Sequence, residues 1–133
     1  MPSGLLRKFT YWVPALIYMG AIFYLSSSRA PEFFDCINYR FFFIKFLHLV
    51  EYGVLGALYY YALRKTSSYS HAGALWVAVV LAGAFGLSDE WHQSFIAGRI
   101  AMPLDVVTDI LGAYFGGKIG GYFKIFRSAE VSA

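Results

Sequence analysis

Four long apolar stretches, residues 9–27, 41–63, 72–91 and 103–124, take up most of a chain of 133 residues. Each is close to the roughly 20 residues that a helix needs to cross a bilayer's hydrocarbon core. Only 14% of the residues are charged against 59% hydrophobic, whereas a soluble domain carries about a quarter charged. Such a chain cannot cover a globular surface with polar groups. Its 13 Phe and 11 Tyr suit rings placed at membrane interfaces. The expected fold is all-α, a single domain over 1–133 built as a transmembrane bundle of four helices. Short connections make consecutive helices antiparallel. Pro14 falls early in the first span, and Pro103 suits the first turn of the fourth.

Arg7 and Lys8 before the first apolar run give the N-terminus a resemblance to a signal peptide. The run is too long for an h-region, and the one small-x-small site, Ser28-Arg29-Ala30, would leave Pro31 just after the cut. It reads as an uncleaved first span. Basic residues set the orientation. Arg7, Lys8, Arg64, Lys65, Lys124 and Arg127 share one side of an even-numbered topology. The first loop mixes Arg29 and Arg40 with Glu32 and Asp35, and the third holds Arg99. Both termini are therefore expected in the cytoplasm of a multi-pass cell-membrane protein. No basic tract or nucleic-acid motif is present, so nucleic acid is not an expected partner. The single Cys36 excludes an intramolecular disulfide and reads as a bystander.

This topology gathers the polar residues at one membrane face, expected to be the outer one. The first span ends there with Ser26, Ser27 and Ser28, and the second begins with Lys45, His48, Glu51 and Tyr52. The third ends at Glu90 and Gln93, and the fourth begins at Asp105, with Asp109 about 6 Å deeper. Lys45, His48 and Tyr52 share a helical stripe with Gly56. Asp105 and Asp109 share one with Gly112, Gly116 and Gly120, and Glu90 and Gln93 share one with Gly83 and Gly86. Small residues are where membrane helices approach closely, so these polar groups are expected to face the bundle interior. Asp89 and His92 fall on another face of their helix and are expected to stand outside the site.

Each group also has a structural reading. Lys45 and Arg99 suit snorkelling anchors, Asp105 suits the positive end of a helix dipole, and the glycines suit packing. Glu90–His48 and Asp109–Lys45 are natural candidates for purely structural ion pairs, and Asp89–His92 for a surface pair. Asp109 is the exception, too deep and too short to snorkel. Ionisable groups inside a membrane point to a functional site.

The ordered set of motifs resembles the VanZ-like family of small membrane proteins. The shared features are YLSS closing the first span, Lys45-x-x-His48-x-x-x-Tyr52-Gly53, Glu90-x-x-Gln93-x-Phe95-x-x-Gly98-Arg99, and Asp105-x-x-x-Asp109-x-x-Gly112. They run from about Tyr24 to Gly116. Ile44 stands where the family often has Asp, and the position of Asp109 is commonly Asn. The resemblance implies an integral membrane protein and an association with glycopeptide resistance, to teicoplanin above all, with no agreed biochemical activity.

Three functions fit these residues. In a membrane enzyme acting on an envelope lipid or lipid-linked precursor, Glu90 or Asp105 would serve as general base or acid and His48 as proton shuttle. Lys45, Tyr52, Gln93, Arg99, Asp109 and Ser26 would hold the substrate, with Lys45 and Arg99 on a phosphate or carboxylate. In a binding or masking protein, the same cleft would capture a lipid or lipoglycopeptide without chemistry. A proton- or cation-coupled carrier would line a pathway with the acids, and one four-span protomer would then need to form a homo-oligomer. Membrane lipids are expected partners throughout. No cofactor is expected, although Glu90, His48, Asp105 and Asp109 are suitable ligands for a divalent metal if they meet at one point.

Overall fold

The computed structural model describes residues 4–28 and 40–123, which form four helices. They are α1 (Gly4–Ser26), α2 (Arg40–Thr66), α3 (His71–Gln93) and α4 (Pro103–Tyr122). The expected all-α four-helix bundle is found, each helix at the place of an expected span. The helices α1, α2 and α3 are long and apolar enough to cross a membrane, and the chain is a multi-pass membrane protein. α4 is about 30 Å long but carries Asp105, Asp109 and Lys118 within its 20 residues, so composition sets it apart from the other three. Arg29, Glu32, Asp35 and Cys36, with Lys124 and Arg127, lie outside the described residues.

The bundle has the solvent preferences of a water-soluble protein reversed. Large apolar side chains such as Ile17, Phe42, Val80, Leu87 and Ile119 project outward from all four helices, while Ser26, Lys45, Asp89, Glu90, Gln93, Asp105 and Asp109 are buried. Outward apolar surface of this extent needs an apolar solvent.

α2 and α4 run parallel and meet backbone to backbone. A Cβ on Gly112 would strike the backbone of Leu49 and Gly53, one on Gly116 that of Gly53, and one on Gly56 that of Ala113. Only residues without side chains permit this approach. α3 lies antiparallel to both, with Gly83 against the Ile110 side chain and Gly86 against Asp109. α1 packs more loosely through Ala15 and Ile22. Its Trp12 indole donates to Thr66 Oγ1 at 3.3 Å, and Met19 Sδ accepts from the Tyr59 hydroxyl at 2.9 Å.

Two connections shape the ends. Residues 67–70 link α2 to α3, and the Ser70 hydroxyl caps α3 by accepting from Gly73 N–H at 3.1 Å. In the connection between α3 and α4, Arg99 N–H donates to Ile96 O at 3.1 Å across a tight turn. Gly98 has φ 83° there, a left-handed conformation that glycine adopts without strain.

Candidate functional site

The parallel α2–α4 contact fixes which side chains meet. One turn or two above the Gly53–Gly112 crossing, Lys45 Nζ forms an ion pair with Asp105 Oδ1. His48 Nδ1 lies 2.9 Å from Asp109 Oδ1. These pairings differ from those the sequence suggested, Glu90 for His48 and Asp109 for Lys45: Asp109 pairs with His48, Asp105 takes Lys45, and Glu90 pairs with neither. The glycine contact sets a register offset of about 60 residues between α2 and α4. Lys45 also sits 5.1 Å from the centre of the Phe41 ring and 3.6 Å from Met102 Sδ.

Asp109 is only 1% exposed. Gly86 makes its position attainable, since a Cβ there would come within 2.8 Å of Asp109 Oδ2. The His48 and Tyr52 rings are nearly coplanar in orientation, 9° apart, with centres 6.4 Å from one another. Tyr52 is buried as completely as Asp109, and its hydroxyl has no hydrogen-bond partner among the described residues.

α3 contributes two adjacent carboxylates. Glu90 Oε2 accepts from Met102 N–H at 2.8 Å, tying α3 to the residue that opens α4. Its Oε1 is buried without a partner among the described residues. Asp89 is also buried, contrary to the expectation that it faces away. Its Oδ1 accepts from the Ser26 hydroxyl at 2.5 Å and its Oδ2 from Gln93 Nε2 at 2.8 Å. Asp89 continues the stripe Ala78, Ala82 and Gly86, a small-residue face beside the one that carries Glu90, so the pattern that marks it is present in the sequence. His92 is part-buried and pairs with α1 instead, its Nε2 2.9 Å from Ser27 Oγ and its ring stacked on Phe23 at 4.2 Å.

Arg99 reaches back to the end of α1. Its Nε donates to Ser28 O at 2.9 Å and its Nη2 to Leu25 O at 3.1 Å. It thereby satisfies carbonyls left open at the C-terminus of α1. Its side chain still lines the site.

Two cavities flank His48. A cleft of about 280 Å³ has an apolar wall of Phe41, Ile44, Ile100 and Met102, and polar groups Lys45, His48, Gln93, Arg99 and Asp105. A chamber of about 70 Å³ lies on the other side, between α1, α2 and α3, lined by Ser26, Glu51, Asp89 and again His48, Gln93 and Arg99. Glu51, seen in the sequence as part of the polar zone but given no role, faces this chamber. Thus Lys45, His48, Gln93, Arg99 and Asp105 share the larger cleft, and Ser26 faces the chamber. Tyr52, Glu90 and Asp109 sit behind them in the bundle. Among the described residues no three His, Cys, Asp or Glu side chains come together as a metal cage.

A bundle of membrane helices with a charged, partly hollow end defines the class as a small multi-pass membrane protein with a cluster of buried polar side chains. Residues 6–125 match the family model described as VanZ/LLP1, and the chain belongs to that family. No curated protein and no solved structure matches it.

Proposed function

We propose that the polar end binds the head of a cell-envelope amphiphile: an envelope lipid, a lipid-linked precursor or a lipoglycopeptide. The observation that carries this reading is the two-sided lining of the larger cleft. Phe41, Ile44, Ile100 and Met102 suit an acyl or prenyl chain, while Arg40, Lys45 and Arg99 outnumber the single carboxylate of Asp105. That balance favours an anionic head, such as a phosphate or carboxylate. α4 serves as a fourth span, its carboxylates turned toward α2, and the polar end faces outward with both termini in the cytoplasm. The accumulation of Arg7, Lys8, Arg64 and Lys65 at the opposite end supports this orientation.

Native mass spectrometry of the purified protein, incubated with total envelope lipid extract or with teicoplanin, tests the binding. Wild type is expected to retain an amphiphile that Lys45→Gln and His48→Ala lose. Equal retention by all three proteins would overturn the proposal. In cells, the same variants test for teicoplanin resistance: a contribution predicts greater susceptibility with either variant than with wild type.

Acid–base chemistry on the bound head is the second reading. The unpartnered Oε1 of Glu90, close behind a histidine–aspartate pair, favours it. Glu90→Gln is then expected to retain the amphiphile but stop its conversion, followed by chromatography of the lipid products. Unchanged lipid with wild type, over the same incubation, argues for binding alone.

A further inference from the structure

The opposite end of the bundle contains a third, larger cavity. It measures about 450 Å³ and lies between α2, α3 and α4, lined by Tyr60, His71, Ala72, Leu75, Lys118 and Tyr122 together with two glycines of α4. We propose that this cavity holds an anionic phospholipid from the leaflet that meets the basic end, with its phosphate at Lys118 and a chain against Ala72 and Leu75.

Charge carries the argument. All five acidic side chains among the described residues, Glu51, Asp89, Glu90, Asp105 and Asp109, belong to the polar half. Arg7, Lys8, Arg64, Lys65 and Lys118 are at the other end, where the described residues include no carboxylate. Lys118 has no acidic partner among the described residues, and its Nζ sits 5.6 Å from the centre of the Tyr114 ring. An exposed ammonium above an aromatic ring, at the mouth of an apolar cavity, is suited to a phosphate at the headgroup level.

The floor adds a polar contact. Tyr60 is buried, and its hydroxyl oxygen lies 2.5 Å from His71 Nδ1 in the first turn of α3. Gly121 keeps the space above that hydroxyl open, since a Cβ there would stand 3.2 Å from it. The cavity therefore has a cation at the rim, a hydrogen-bonded pair at its base and apolar sides.

Trp76 provides a local reporter, because its ring lies 5.7 Å from Tyr114, the residue beneath Lys118. The full chain carrying Trp12→Phe and Trp91→Phe is reconstituted in phosphatidylcholine vesicles. Brominated phosphatidylglycerol or brominated phosphatidylcholine is then added at the same mole fraction. Phosphatidylglycerol is expected to quench Trp76 more strongly, and Lys118→Gln is expected to weaken that preference about fivefold. Ala72→Phe, which fills the cavity from an exposed position, should also reduce it. Equal quenching by the two lipids, or a preference that survives both substitutions, would overturn the proposal. The measurement reads nothing at the polar end, so its outcome is separate from the binding proposed there.

Discussion

Tyr52 brings a hydroxyl into the bundle beside Phe85 and Gly86 and leaves it without a hydrogen bond among the described residues. A buried unpartnered hydroxyl costs about 1–3 kcal/mol, which a purely structural residue would not impose. Tyr52→Phe is therefore expected to leave stability in detergent equal or raise it by about 1 kcal/mol. Retention of the amphiphile should fall in the same variant. A loss of thermal stability would show that the hydroxyl is structural. Lys45 and Asp105 call for a cycle rather than one substitution, because removing one partner strands the other charge. Lys45→Met alone is expected to cost about 3–5 kcal/mol. Adding Asp105→Leu should recover most of that loss in thermal unfolding, while amphiphile binding stays absent. Most of these residues were legible in the sequence because charge is rare in it. Asp89 escaped because the inward face of α3 was drawn through Gly83 and Gly86 alone, although Ala78 and Ala82 widen it.

At the level of helices, glycine has opposite effects according to what it faces. Gly116 meets the backbone of Gly53, whereas nothing lies within 4 Å of a Cβ placed on Gly20. Gly20→Ala is expected to stabilise the protein by about 0.5–1 kcal/mol through helix propensity. Gly116→Ala, which must push α2 and α4 apart, should lower stability by at least about 1–3 kcal/mol. The two melting temperatures in one detergent decide this. The helices themselves could be read from apolar run length; α2 and α3 overshoot their runs at both ends and α1 at its start, while α4 stops two residues short. The parallel pairing of α2 with α4 could not be read in the same way. Stripes of small residues mark a contact face without naming the face it meets, so the ion-pair partners came out differently.

At the scale of the whole molecule, the described residues put all five acids at one end of the bundle and Arg7, Lys8, Arg64, Lys65 and Lys118 at the other. The proposed orientation follows from the basic end. With Cys36 replaced, Ala97→Cys is expected to react with a membrane-impermeant thiol reagent in intact cells. Ser68→Cys should react only after permeabilisation. The reverse pattern would invert the protein and place the cleft inside.

The offset between α2 and α4 also bears on how the chain is made. Lys45 precedes Asp105 by 60 residues and His48 precedes Asp109 by 61. At ordinary rates of synthesis this separates each base from its acid by about 3–12 s. During that interval the second helix has emerged with a lysine and a histidine whose carboxylate partners have not yet been translated. Its charged half must wait in contact with water or the insertion machinery, and only the arrival of the last helix draws it to its final depth.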